Sequence, residues 1–294
     1  MDLFFTMLVP FTIAGVALYA AGKRVDVYSA LVQGQLQRSL LENPACWELY
    51  RDFVDFAPLE EAVSAWRDTL ASGAASTMSA LSAQVEAELK AGTAQSAAQT
   101  LHTTLESISR TLYGNYGSAL TIYNLPTALM TAISASVIPA VSGGLARRDR
   151  RGASRVSGSA LRVAALLAFP MGIGLFVLGR PIIQLLFPRM EAELAGPLLS
   201  LLGVAGIFVC MMLVCNSILQ AYGFVNLPIL VMLVGGAVKI LANYNVVALP
   251  KVGVYGAPVG NILCFGLCLV MDLLLIARVI PRRPRYAEIF AKPM

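Results

Sequence analysis

Long apolar runs alternate with short polar breaks along much of this chain. The runs cover roughly 3–22, 118–142, 159–179, 196–221, 227–249 and 254–280. A helix of about 20 apolar residues crosses the ~30 Å hydrocarbon core of a bilayer, because each residue adds about 1.5 Å. Helices also satisfy every backbone polar group within one segment, as lipid requires. The pattern therefore predicts an all-α, polytopic helical membrane protein with about six transmembrane helices.

A polar insert lies between the first and second apolar runs. Pro58 followed by Glu60 predicts a helix start, because proline fits the first turn and acids favour the positive end of the helix dipole. The insert forms either a helical hairpin that covers its own apolar faces or an amphipathic helix lying on a membrane or partner. A second helix is predicted through 76–111, with an apolar stripe at spacings of three and four: Ala98, Leu101, Leu105, Ile108 and Leu112.

Charge is sparse and unevenly distributed. The chain is 57% hydrophobic and 13% charged, whereas soluble domains carry about 25% charged residues. Residues 1–112 hold 7 basic and 12 acidic residues (7 − 12 = −5), and residues 113–294 hold 15 and 5 (15 − 5 = +10). This asymmetry indicates two parts in different environments. The basic residues flank membrane spans, so nucleic acid is not an expected partner.

Groups suited to catalysis or metal binding are few. The five cysteines form no CxxC pair, and the only histidine, His102, falls on the polar side of its helix. A Ser/His/Asp set could be built only around His102, to which the sequence assigns no role, and no phosphate-binding GxxxxGK loop occurs. The sequence therefore predicts neither an enzyme nor a metal site, and it calls for no cofactor.

Basic clusters predict the orientation in the membrane. One cluster is Arg147, Arg148, Arg150, Arg151 and Arg155, and the C-terminal tail holds the other, from Arg278 to Lys292. Four predicted spans separate them, so both lie on one side, which the positive-inside rule makes cytoplasmic. Helix 118–142 then begins outside, whereas Lys23 and Arg24 place the end of helix 3–22 inside. Either helix 3–22 is inverted, or a spanning helix is missing before 118.

Four long stretches carry a family resemblance. They read LYGNYGSALTIYNLPTALMTAISASVIPAVS (112–142), SALRVAALLAFPMGIGLFVLGRPIIQLLF (159–187), NSILQAYGFVNLPILVMLVGGAVKILANYNVVALP (216–250) and VYGAPVGNILCFGLCLVMDLLLI (254–276). In this order they resemble the C-terminal half of the stage V sporulation protein B and polysaccharide-exporter family. That family belongs to the multidrug/oligosaccharidyl-lipid/polysaccharide superfamily, which includes the lipid II flippases.

The resemblance implies a partial, half-flippase bundle. Relatives resemble a pair of six-helix halves, and here the first half and the opening helix of the second are absent. Residues 9–34, VPFTIAGVALYAAGKRVDVYSALVQG, instead resemble the start of spore maturation protein B, and 35–111 resemble no family. The expected domains are an N-terminal membrane anchor helix (1–34), a polar, amphipathic helical insert (35–111) and a five-helix membrane bundle (112–294).

The implied function is that of a membrane flippase. The substrate would be a lipid-linked oligosaccharide, such as an undecaprenyl-diphosphate-linked precursor of cell wall or spore cortex. Besides the lipid bilayer and this substrate, a second chain or a homodimer is an expected partner, supplying the missing helices. The alternatives are a non-transporting membrane scaffold in spore maturation and a non-functional fragment.

Charged and amide residues within predicted spans are the candidate substrate site, because such groups are costly in lipid unless paired or hydrated. In the lipid II flippases a basic residue matching Arg162 faces the central cavity, which implies a diphosphate contact, although an arginine near a helix end also snorkels to headgroups. Lys239 lies mid-span, with Asn243 one turn later. Asn216 and Gln220 are i,i+4 neighbours that suit substrate sugars or bonds between helices.

Two further groups have other predicted roles. Asp272 is a candidate counter-ion for Lys239 or a proton- or cation-coupling residue. The cluster Arg147–Arg155 is expected to set topology and to contact anionic lipid.

Overall fold

The computed structural model describes residues 27–69, 78–91, 97–188, 191–247, 249 and 252–279. Within these ranges all regular structure is helical. The predicted anchor helix 3–22 and the basic tail beyond 280 lie outside the described residues. The α-helices are α1 (Val27–Glu42), α2 (Ala57–Thr69), α3 (Met78–Ala91), α4 (Ala97–Ala146), α5 (Arg150–Leu186), α6 (Ala192–Ala221), α7 (Asn226–Val246) and α8 (Gly256–Val279), with 3-10 turns at Pro44–Leu49 and Gly253–Tyr255.

Five of the described helices, α4 to α8, are long and apolar enough to cross a membrane. They coincide with the five apolar runs predicted after position 117, so the prediction of a polytopic helical membrane protein is confirmed. Of the five, α6 is the most enclosed, with 67% of its most apolar window buried, whereas the same share is 22% for α4 and 28% for α7. The large exposed apolar side chains elsewhere suit contact with lipid or another chain.

Helix α4 is longer than the sequence pattern predicted. It runs without interruption through 50 residues, from the insert into the first apolar run, where a boundary near position 112 was expected. At about 1.5 Å per residue its path measures roughly 75 Å, well beyond a hydrocarbon core of ~30 Å. Gly114 and Gly117 do not end it, because a glycine within a helix costs only about 1 kcal/mol. Asn115 Nδ2 also donates to the Thr111 carbonyl at 3.0 Å, so the polar side chain bonds along the helix.

The described residues divide into two compact units. The bundle unit holds 118–241 and 258–279, and the insert unit holds 27–117 and 242–257. The predicted domain boundaries at 34/35 and 111/112 remain predictions. The insert unit is discontinuous in sequence, because it recruits the segment between α7 and α8.

Within the bundle unit, α5 and α6 pack through glycines spaced seven residues apart on each helix. A Cβ atom on Gly203 would lie 2.7 Å from the Gly172 carbonyl oxygen, and one on Gly179 would lie 2.8 Å from the Gly196 carbonyl oxygen. The two helices therefore run antiparallel with their backbones in close approach, as small residues permit in membranes. The exposed side chains of Arg180 and Glu193 form an ion pair between the same helices.

Helices α7 and α8 also approach closely within the bundle unit. Gly235 faces the thiols of Cys264 and Cys268, and a Cβ at this position would lie 3.2 Å from Cys264 Sγ. One turn earlier on α7, the Val231 carbonyl accepts a weak hydrogen bond from Cys268 Sγ at 3.6 Å. Both cysteines are buried, where a free cysteine packs as a small apolar side chain.

The insert unit has a core of its own. The predicted stripe from Ala98 to Leu112 is buried, as are Leu59 and Trp66 of α2. This burial matches the predicted hairpin that covers its own apolar faces. Hydrogen bonds link distant parts of the unit, with Trp66 Nε1 donating to Gln84 Oε1 at 3.3 Å and Gln37 Nε2 donating to Ser109 Oγ at 2.9 Å.

Tyr50 ties the insert to the turn between α7 and α8. Its hydroxyl accepts a hydrogen bond from the Val254 amide at 2.6 Å, and the tyrosine is fully buried. Gly253 sits beside the hydroxyl at φ +50°, and a Cβ there would clash with it. A left-handed glycine is therefore needed both for the backbone angle and for the space. Burial raises the pKa of Tyr50 above its usual value.

Candidate functional site

The buried face of α8 carries a polar stripe. Asn261, Cys264, Cys268 and Asp272 follow at spacings of three, four and four, and all four side chains are buried. Asp272 is fully buried, and neither carboxyl oxygen has a hydrogen-bond partner among the described residues. It lies close enough to Cys268, and to Cys215 of α6, to interact with both electrostatically. A carboxylate in this position is costly, so the group favours either the protonated, neutral form or a bound cation.

Asn216 follows Cys215 on the enclosed helix α6. Its side chain is 5% exposed, and neither its amide oxygen nor its nitrogen has a hydrogen-bond partner in the described part of the chain. Gln220, one turn later, is exposed. The predicted i,i+4 pair is therefore split between a buried and an exposed environment. Of the pair, Asn216 has the unused hydrogen-bonding groups among the described residues, and it directly follows Cys215, which interacts with Asp272.

Lys239 lies on the face of α7 that meets α8. Val231, Gly235 and Lys239 are four residues apart, so they share one helix face, and Lys239 is half-buried and close enough to Cys264 to interact with it electrostatically. Asp272 follows Cys264 by eight residues, about 12 Å along α8. The structure therefore places Lys239 and Asp272 at different levels of the same helix pair and does not bring them together as a compact ion pair.

Arg162 lies in the first half of α5 and is exposed. Its neighbours Val163 and Leu166 are exposed as well, at 46% and 44%. The guanidinium therefore lies on an open, largely apolar face of the bundle unit. Asn243, although near Lys239 in sequence, is assigned to the insert unit and is fully buried there.

The five arginines of the first basic cluster surround the turn between α4 and α5, and all are exposed. Asp149 caps α5, because its Oδ1 accepts a hydrogen bond from the Gly152 amide at 2.8 Å. Arg148 adopts a left-handed conformation with φ +58°. The cluster thus forms a tight, exposed basic turn.

Sequence reasoning missed a polar pocket of the insert unit. It has a volume of about 330 Å³ and lies between α1 and the C-terminal end of α7. Part of the signal was present in α1, where Gln35, Arg38, Ser39 and Glu42 recur at helical spacing as a polar stripe. The remaining wall, Tyr244 and Asn245, is about 200 residues away in sequence, and no local pattern connects the two.

The described part of the chain contains no group of three or more His, Cys, Asp or Glu side chains placed to hold a metal ion. Cys264, Cys268 and Asp272 of α8 therefore supply two thiols and one carboxyl group, but these are not placed together as ligands of a metal ion. What the arrangement offers is a buried ionisable group beside amides and thiols, in a bundle of membrane-spanning helices.

The comparison with known families decides the class of this protein. The family described as Lipid II flippase MurJ matches residues 64–287, which is about three quarters of the chain. The chain belongs to the MurJ lipid II flippase family. No curated protein and no solved structure matches it significantly. The match begins within the insert, a segment for which the sequence analysis named no family.

Family membership confirms several predictions. The MurJ-family chain is a multi-pass membrane protein of the class that flips lipid-linked precursors, and it is a transport protein rather than an enzyme. Its partners are the lipid bilayer, in which it resides, and a lipid-linked substrate. The resemblances to stage V sporulation protein B and to spore maturation protein B remain predictions.

Proposed function

We propose that this MurJ-family chain moves an undecaprenyl-diphosphate-linked oligosaccharide, a precursor of cell wall or spore cortex, across the cell membrane. The family match over 64–287 carries the proposal. It is supported by polar and ionisable side chains within otherwise apolar spans, because such residues mark substrate and ion pathways in membrane proteins.

Two basic residues are suited to the diphosphate. Arg162 offers a planar fork of donors, which matches phosphate oxygens, and Lys239 offers a point charge. The exposure of Arg162 on α5 and the partial exposure of Lys239 on α7 leave both accessible to a substrate. Asn216, Gln220 and Asn243 are the proposed contacts to sugar hydroxyl and acetamido groups, since an amide both donates and accepts hydrogen bonds.

Asp272 is the proposed coupling residue. It is fully buried, and its two oxygens lack hydrogen-bond partners among the described residues. Exchange of a proton or a monovalent cation at this carboxyl group would change the charge inside the bundle unit, and so bias the packing of α6 against α8. Cys215 and Cys268 lie close enough to interact with it electrostatically.

A second chain is the proposed partner in transport. Substrate passage by alternating access needs two helix bundles that enclose a cavity. The apolar windows of α4, α5 and α7 are only 22%, 33% and 28% buried, so large apolar faces remain available to a homodimer or another subunit. In the proposed orientation the basic turn at 147–155 and the C-terminal tail are cytoplasmic, and the five arginines of the turn contact anionic lipid.

The test is a flipping assay in vesicles. The full chain, with any chain that co-purifies, is reconstituted with a fluorescent undecaprenyl-diphosphate disaccharide, and quenching from outside measures transfer between leaflets. Arg162→Ala, Lys239→Ala and Asp272→Asn should each slow transfer at least tenfold. The matched controls Arg110→Ala and Lys90→Ala, which remove exposed residues paired with acids on their own helices, should leave it unchanged.

The outcomes separate transport from scaffolding. A wild-type protein that inserts and folds but transfers no lipid in any reconstitution would favour the membrane scaffold. Equal transfer by Asp272→Asn and wild type at all pH values and cation concentrations would remove the coupling role of Asp272. Equal loss in the controls would show that the assay reports folding alone.

A further inference from the structure

The pocket of the insert unit is polar and partly open to the surface. Its volume of about 330 Å³ lies at the lower end of the range for small-molecule sites, roughly 300–1,000 Å³. Helix α1 forms one wall with Gln35, Arg38 and Glu42, and the end of α7 forms the other with Tyr244 and Asn245. A site of this size accommodates one or two sugar rings and not a whole lipid-linked precursor.

The charges in the pocket are already paired. Arg38 Nε lies 3.1 Å from one carboxylate oxygen of Glu42 and 3.2 Å from the other, so its single N–H forms a bifurcated hydrogen bond with the carboxylate. The net charge of the pair is zero. A diphosphate would have to compete with Glu42 for the guanidinium and would face the carboxylate, so an anionic ligand is disfavoured.

The rest of the lining consists of amides and hydroxyls. The lining includes the amide side chains of Gln35, Asn43 and Asn245 and the hydroxyl-bearing residues Ser39 and Tyr244, which are residue types that donate and accept hydrogen bonds. Tyr244 is 48% exposed, and it interacts with Arg38, so its ring stands at the edge of the cavity. Neutral ligands with many hydroxyl and acetamido groups match this lining.

We infer that this pocket binds the uncharged sugar portion of a lipid-linked precursor. The inference rests on the proposed function in one respect, which is that the chain handles such a precursor. The residues that line the pocket belong to the insert unit, whereas Arg162 and Lys239 belong to the bundle unit.

Direct binding tests the inference. Full-length protein in lipid nanodiscs is titrated with a soluble disaccharide of two N-acetylhexosamines, and binding is read by saturation-transfer difference NMR. Arg38→Ala and Asn245→Ala should each weaken binding about tenfold or more, because each removes hydrogen bonds to the ligand. The matched control is Arg51→Ala, which breaks the exposed Arg51–Glu48 pair at 3.2 Å outside the pocket.

Inorganic diphosphate serves as the second probe. It should not displace the disaccharide, and displacement that depends on Arg38 would overturn the assignment to a neutral sugar. No binding of the disaccharide to the wild type, or an equal loss in Arg51→Ala, would also overturn it. Thermal unfolding of each variant confirms that the insert unit remains folded.

The flipping assay distinguishes this inference from the proposed function. Normal lipid transfer without disaccharide binding rejects the pocket alone. Disaccharide binding that depends on Arg38 and Asn245, in a chain that transfers no lipid, supports the pocket and rejects transport.

Discussion

Close packing of α5 against α6 predicts a large difference between two glycine-to-alanine substitutions. At Gly203 a new Cβ would lie 2.7 Å from the Gly172 carbonyl oxygen and 2.8 Å from the Phe176 amide nitrogen. Both contacts are with backbone, so neither can be relieved by turning a side chain. At Gly174, on the partner helix α5, a Cβ meets nothing within 4 Å.

The magnitude follows from the distances. Restoring ordinary contact of about 3.4 Å at Gly203 requires the helices to separate by about 0.7 Å. A gap of 0.5–1 Å forfeits a quarter to a half of each contact energy along the interface, and overpacking of this kind costs about 1–3 kcal/mol. Both variants gain about 0.5–1 kcal/mol from replacing a helical glycine. Gly203→Ala should therefore be less stable than Gly174→Ala by about 1–3 kcal/mol.

Unfolding by sodium dodecyl sulfate in mixed micelles, followed by circular dichroism, measures this difference. Gly174→Ala should unfold at or above the wild-type detergent fraction, and Gly203→Ala should unfold clearly below it. Because the two substitutions are chemically identical, the shared effect of helix propensity cancels. Equal midpoints for the two variants would refute the close approach of α5 and α6.

Three other predictions follow from the insert unit and the topology. Tyr50→Phe should lower the free energy of unfolding by about 1–3 kcal/mol, because the buried Val254 amide loses its acceptor. Burial raises the pKa of Tyr50 in the folded chain, so the unfolded chain loses this proton first. Wild-type stability should therefore decline above about pH 10, and less so in the variant. Gly253→Ala should destabilise the chain far more than Gly223→Ala, because both have positive φ but only Gly253 lacks space for a Cβ; thermal unfolding measures both. In intact cells an impermeant maleimide should label Glu191→Cys and not Arg150→Cys, and the reverse labelling would overturn the orientation.

The membrane-spanning helices were predictable because length and apolarity in lipid leave little choice of structure. The buried stripe from Ala98 to Leu112 was equally readable from its spacing. The continuity of α4 was not, since Gly114 and Gly117 are typical of helix ends and are tolerated here within a long helix. A local pattern gives the cost of a glycine, and it does not show whether the surrounding helix compensates for that cost.

The site was predictable as a set of residue types and less so as an arrangement. Asp272 was selected because an acid within a span is unusual, and its burial agrees with that reasoning. Its neighbours Cys215 and Cys268 and the buried Asn261 were given no role in the site, since thiols and isolated amides are common in membrane helices. The pairing of Gly203 with Gly172, and of α1 with Tyr244 across the pocket, depends on tertiary contacts that a single sequence does not encode locally.

The contact between Tyr50 and Val254 has a consequence for the synthesis of this chain. The two residues are 204 positions apart, which a ribosome covers in about 10–40 s at 5–20 residues per second. During that interval α4 to α7 enter the membrane, while the first part of the insert unit lacks the segment that completes it. Such non-local contacts form slowly, because the closure of a long loop precedes any gain from the contact. The insert unit therefore reaches its final structure only after most of the spans have been inserted, and its apolar residues depend on protection until then.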